Sequence, residues 1–237
     1  MKTNLFSMLL GVLSFMFCSC HAQVGKKFSS AEDNHSYVDL GLPSGTLWAT
    51  CNIGANNPEE YGDYFAWGET KGYSSGKTDF VWDTYRWCND DYDEMTKYCT
   101  KSSYGYNGFT DEKTELGLED DAAYVNWGPA WRMPSYEQFQ ELINSSYTTT
   151  EWTTLNGVDG RKITSKANGN SIFLPAAGCR DGSSLSYDGS YGDCWARTLR
   201  TSGPDYARGL YFNSDYVDAA GDNRCLGLSV RPVRSSE

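Results

Sequence analysis

The dipeptides Asn156-Gly157, Asp159-Gly160 and Asn168-Gly169 fall within fourteen residues of one another and cut the chain after position 147 into short extended pieces. Asn-Gly and Asp-Gly supply the positive φ angles of tight hairpin turns, so each predicts a turn between two strands. Only one stretch has a sustained helical period, "PSYEQFQELINSS" (134–146). Ser135 is placed to cap it with Gln138 three residues on, and Tyr136, Phe139, Leu142 and Ile143 share one apolar face. Further short strands are expected in "CWARTL", "RGLYFN" and "LSVRPV", and 56–130 reads as long loops rich in aromatics, Gly and Asp. One or two helices, many short strands and long links predict an α+β domain, and 237 residues suffice for a single core.

The N-terminus predicts export. Residues 1–19 hold Lys2 and the apolar run "LFSMLLGVLSFMF", a secretory signal too short to be read as a spanning helix. Two processing sites compete in "FCSCHAQ": Ser19 before Cys20 resembles a lipoprotein box with Cys20 acylated, and Ala22 suits ordinary cleavage. Residues 20–36 are expected to be a flexible tether, followed by one domain over 37–234. By either processing route the protein is expected to be exported, and held at a membrane surface by a lipid if Cys20 is acylated. Loss of 1–19 moves the net charge from −11 to −12, which disfavours nucleic acid and leaves a lipid as the expected membrane contact.

Export permits disulfides among Cys51, Cys88, Cys99, Cys179, Cys194 and Cys225. Cys88 with Cys99 is the most local pair, against the alternative of two free thiols. The two histidines, His21 and His35, and the absence of CxxC argue against zinc. The acid runs 90–94 and 119–121 leave structural Ca²⁺ open, although solvated loop faces are the simpler expectation. No other cofactor is expected. Trp48, Trp67, Trp82, Trp87, Trp127 and Trp131 read as core and loop anchors, and Arg132 and Arg231 as structural.

The last quarter is compositionally biased. Residues 180–236 hold seven arginines and no lysine, and seven aspartates and no glutamate; before 180 there are ten lysines and three arginines. Gln, Met, His and Ile are missing from the same stretch. Short loops favour Asp, which explains part of this but not why every base is arginine. Lys, Glu, Gln and Met share one property: no codon ending in a pyrimidine encodes them. Randomising the adenines of adenine-adenine-pyrimidine codons yields Asp, Cys, Ala, Arg, Thr, Gly and Leu and never those four. "GDCWARTLR" (192–200) lies within that alphabet apart from Trp195, which must then be fixed.

"YVDLGLPSGTLWATCNIGA", "EEYGDYFAWGET", "NWGPAWRMPSYEQFQELI", "NGNSIFLPAAG" and "SVRPV" resemble the Fibrobacter major paralogous domain family, over about 37–233. The resemblance implies a C-type-lectin-like fold, shared with formylglycine-generating enzymes, with a small twisted antiparallel sheet and long ordered loops. Such domains also serve as variable proteins of diversity-generating retroelements. The resemblance therefore implies fixed Trp195, Leu199, Leu210, Tyr211, Phe212, Val217, Gly227, Val230, Arg231 and Pro232. Between them it implies a diversified, solvent-facing, ligand-binding set in about 180–230: Asp193, Cys194, Ala196, Arg197, Thr198, Arg200, Arg208, Gly209, Asp218, Ala219, Ala220, Asp222, Cys225 and Leu226. An oxidase pair at Cys194 and Cys225 lacks the family's surrounding motif, so no enzyme is expected. The expected function is a surface receptor or adhesin for a protein or glycan ligand, the alternative being an undiversified adhesin or glycan-binding lipoprotein. Arg197, Arg200 and Arg208 favour an acidic ligand, and alanine at all three is expected to abolish binding without unfolding.

Overall fold

A computed structural model describes residues 28–30 and 33–235. The signal segment 1–19 and the candidate acylation site Cys20 lie outside the described residues.

Among the described residues four small antiparallel sheets and two short α-helices, with five single-turn 3-10 helices, make up the regular structure, an α+β arrangement. The expectation of one small sheet is thus corrected to several, because turns interrupt the chain too often for a wider one. The first sheet has the order β1 (Phe28–Ser30), β2 (Asp33–Asp39), β3 (Thr46–Ala49), β12 (Val233–Ser235). Val233 pairs with Trp48, which joins the end of the domain to its beginning. The tether expected over 20–36 is therefore already strand at 28–30 and from 33 onward.

The second sheet is β4 (Thr148–Leu155), β5 (Val158–Ser165) and β6 (Ser171–Pro175). Asn156 and Gly157, with φ of 50° and 87°, form the two-residue turn between β4 and β5. Gly169, at φ 75°, helps to turn the chain into β6. Asp159-Gly160 is no turn: both residues lie inside β5, opposite Thr154 and Thr153. A Cβ on Gly160 would sit 2.3 Å from the Leu174 carbonyl, so this glycine serves close strand approach.

α2 (Tyr136–Leu142) has the expected capping box: Gln138 N–H donates to Ser135 Oγ, and the Gln138 side chain accepts from Ser135 N–H. Phe139 and Leu142 are buried, and Tyr136 and Ile143 pack beside them. α1 (Ala122–Trp127) lies in the region read as loop. Asp121 Oδ1 caps it through Ala123 N–H and Tyr124 N–H and also accepts from Met133 N–H. Asp120 accepts from the Tyr98 hydroxyl and pairs with Lys97. In the 119–121 run Glu119 is exposed as expected, whereas Asp120 and Asp121 are fully buried and structural.

β7 (Cys179–Asp181) and β8 (Ser184–Ser186) form a two-stranded ribbon. The last sheet is β9 (Gly192–Leu199), β10 (Tyr206–Phe212) and β11 (Val217–Asn223), with β10 in the middle. This sheet lies between two cores. Cys194, Ala196, Leu210, Phe212 and Ala219 pack toward Phe139 and Leu142 of α2. Trp195, Leu199 and Ala207 pack toward Trp67 and Trp131.

Among the described residues Cys88, Cys99, Cys179, Cys194 and Cys225 are free thiols. Cys99 Sγ donates to the Lys101 carbonyl and Cys88 Sγ to that of Trp82, so the two sulfurs bond locally and not to each other. No helix among the described residues is long and apolar enough to cross a membrane.

Candidate binding face

The register of the last sheet decides which residues share a surface. Tyr211 lies opposite Asp193 on one side and Asp218 on the other; two residues along, Gly209 lies opposite Trp195 and Ala220. Ala207, two further, lies opposite Asp222. Side chains alternate between faces with period two, so Asp193, Ala220, Asp222 and Asp218 emerge together on the face bearing Tyr211.

Five members of the expected solvent-facing set are corrected. Cys194, Ala196 and Ala219 are buried at 2%, 0% and 7% exposure because their side of the sheet packs toward α2, and Cys225, just past β11, is buried at 5% in the cluster of Phe80, Tyr85 and Met95. Gly209 is buried too, and a Cβ there would stand 2.8 Å from the Cys194 carbonyl, which leaves little room for any other residue. Leu226 is half-buried against the Trp67 core. Asp218 is exposed, whereas Asp193, Arg197, Thr198, Arg200, Arg208, Ala220 and Asp222 are half-buried.

These remaining residues divide between two places. Arg197, Thr198 and Arg208 gather at the first turn of α2. Arg197 Nε pairs with Glu115 at 3.1 Å, while its Nη1 donates to the Met133 carbonyl and Gln138 Oε1. Thr198 Oγ1 accepts from Tyr136 N–H, and the Arg208 guanidinium lies 4.5 Å from the Tyr136 ring centre. Arg200 stands at the β9–β10 connection, 5.1 Å from the ring of Tyr206. Each of the three arginines thus has an internal partner.

The second place is a cavity of about 300 Å³ whose walls include Cys179, Tyr187, Tyr191, Asp193, Tyr211 and Asp222. Tyr187, Tyr191, Tyr211 and Tyr216 form a continuous row, with successive ring centres 5.2, 5.5 and 5.6 Å apart. Sequence reasoning took Tyr211 as framework and passed over Cys179, Tyr187 and Tyr191. The one available signal was the spacing of tyrosines in "SYDGSYGD". Burial, and then the charge of Asp222, hold the Asp193 carboxyl well above the usual carboxylate range. Burial chiefly, with Asp181 adding, raises Asp222, and burial pushes the Cys179 thiol up to about 11.

A pH effect on stability follows. A carboxyl whose pKa is raised by folding stabilises fully below its unfolded value, and that contribution is lost as pH rises through the folded one. Asp193→Asn removes this loss. The variant is expected to match the parent near pH 4 and to exceed it by about 1–2 kcal/mol at pH 8, the scale of one poorly compensated buried polar group. Urea unfolding at the two pH values measures the difference.

No family model matches the chain, and neither does any curated protein or solved structure.

Proposed function

We propose that this chain is an exported, surface-displayed binding protein, a receptor or adhesin on a C-type-lectin-like scaffold, whose β9–β11 face is one selected version of a diversified surface. The observation that carries this reading is a coincidence of position. Asp193 comes from β9 and Asp218, Ala220 and Asp222 from β11; all four lie within the pyrimidine-ending alphabet, and the register of β10 between the two strands puts them on one face. The residues taken as fixed are mostly inside: Trp195, Leu199, Leu210, Phe212, Val230 and Arg231 are all at or below 2% exposure. A rigid interior under a changeable face, with tyrosines at hand, is the arrangement of a paratope. The reading includes no catalytic residue and no resident cofactor.

The flanking DNA tests it. A near-copy of the 3′ coding segment, differing only where that copy has adenine and lying beside a reverse transcriptase gene, is the expected finding. Differences at Asp193, Asp218, Ala220 and Asp222, with identity at Trp195 and Leu210, would match the face. Absence of the near-copy would return the protein to an undiversified surface binder.

A further inference from the structure

The groove between Tyr187, Tyr191 and Tyr211 has a floor chemistry that selects its occupant. Asp193 on β9 and Asp222 on β11 flank β10 where Gly209 has no side chain, and a Cβ at Gly209 would lie 3.4 Å from Asp193 Oδ1. Asp222 Oδ1 accepts from the N–H of Asn223 at 2.7 Å. Neither aspartate takes part in any of the ion pairs among the described residues. Arg180, close in sequence, stacks instead on Tyr73 with its guanidinium 3.3 Å from the ring centre. The cavity therefore combines half-buried carboxyl groups, a row of aromatic rings and no cation among the residues that line it.

We infer that this cavity receives a lysine or arginine side chain of a partner protein. The inference rests on reading the β9–β11 face as a binding surface and names the ligand chemistry of that face. A carboxylate kept from water without a counter-ion is costly, and an incoming ammonium or guanidinium offsets that cost. Tyrosine ring faces attract the same cation electrostatically. An anion would meet two acids, and a purely apolar group would strand them. Calcium needs six to eight oxygen ligands, more than two carboxylates beside a thiol and three rings provide. A volume of about 300 Å³ stands at the small end of ligand pockets and suits one side chain. Tyr187 and Tyr216, 64% and 52% exposed, continue the tyrosine row outward as a rim of the kind that protein interfaces use.

Cation entry and proton loss are linked here. Asp193 feels the charge of Asp222, Asp222 feels that of Asp181, and Cys179 of β7 and Tyr211 of β10 line the same cavity. A cation favours the ionised carboxylates, so affinity should rise as pH rises through their elevated pKa values.

The probes are N-acetyl-lysine methylamide, N-acetyl-arginine methylamide and the uncharged N-acetyl-norleucine methylamide, titrated by NMR into the purified chain at pH 5 and pH 8. The expected result is at least tenfold tighter binding of a charged probe than of the norleucine probe, strengthening from pH 5 to pH 8. The charge preference should vanish in Asp193→Asn/Asp222→Asn, and affinity should fall severalfold in Tyr187→Ala. Tyr187 is exposed, so its removal leaves the fold intact and reports on the site even if the double variant unfolds. Equal binding of all three probes, or undiminished charged-probe binding in Tyr187→Ala, would overturn the inference. Tighter binding of spermidine than of either amino-acid probe would overturn the protein side chain as occupant. The DNA test is independent: a near-copy found together with indifference to charge removes the cation assignment alone.

Discussion

Arg224→Met is expected to lower stability by about 4 kcal/mol or more, whereas Arg200→Met changes it by less than about 1 kcal/mol. Both arginines belong to the biased segment, and composition alone ranks them equally. Arg224 is fully buried. Its Nη1 donates to the carbonyls of Pro204 and Tyr98 at 2.8 and 3.1 Å, Nη2 to that of Lys97 at 3.0 Å and Nε to the Tyr85 hydroxyl at 2.9 Å. The guanidinium also faces the rings of Trp67 and Tyr85 at 4.8 and 5.3 Å. Methionine fills much of the volume but donates nothing, so three buried carbonyls lose a donor at roughly 1–3 kcal/mol each. Arg200 has a single side-chain hydrogen bond, to Ser202, and sits half-exposed at a turn. Urea denaturation of the two variants beside the parent checks the contrast. Domains of this kind are stable by about 5–15 kcal/mol, so the Arg224 variant should be visibly close to unfolding.

Arg231 follows the same physics. It donates to Asn52 Oδ1 and to the carbonyls of Ala49, Thr50 and Phe173, tying the segment after β3 to β6. The sequence suggested that role because a lone arginine in an apolar framework motif usually holds loops together. Other elements were legible for equally local reasons. Ser135 with Gln138 marks a helix start whatever surrounds it, and Asn156-Gly157 makes its own turn. α1 escaped notice because six residues are too few to display a helical period. Asp159-Gly160 misled because the same dipeptide also suits a strand where another backbone passes within a Cβ's reach.

The orientation of "GDCWARTL" was harder to read. Alternation reveals the exposed face of a strand only when one face meets water. Here Cys194, Trp195 and Ala196 are buried in succession, since cores lie on both sides of β9. The solvent-facing set was therefore expected too broadly, and five of its members are interior. The tyrosine cavity was hidden for a different reason. Its walls come from positions 178 to 222, and only the pairing of β10 with both neighbours brings Asp193 and Asp222 to one side.

Trp195→Ala is expected to cost about 4–5 kcal/mol, the upper part of the range for deleting a buried aromatic, with a cavity left between Leu199, Ala207 and Leu228. Its indole Nε1 donates to the Phe65 carbonyl at 2.7 Å, and Trp67 Nε1 returns a bond to the Ala196 carbonyl at 2.8 Å. Those two bonds tie β9 to the 65–67 segment, so the truncation removes packing and one of the two donors to the Phe65 carbonyl, leaving Leu228 N–H at 3.1 Å as the other. Trp195→Phe separates the contributions: most of the volume is kept, one donor is lost while Leu228 N–H still serves the Phe65 carbonyl, and about 0.5–1.5 kcal/mol should go with the bond. Asp218→Ala, at an exposed position, should stay within about 0.5 kcal/mol. The ordering Trp195→Ala, Trp195→Phe, Asp218→Ala in urea midpoints is what a fixed interior beneath a replaceable face requires. A Trp195→Ala loss below about 1.5 kcal/mol would mean that β9 is held by its neighbours alone, and the case for Trp195 as a fixed anchor of that strand would fail.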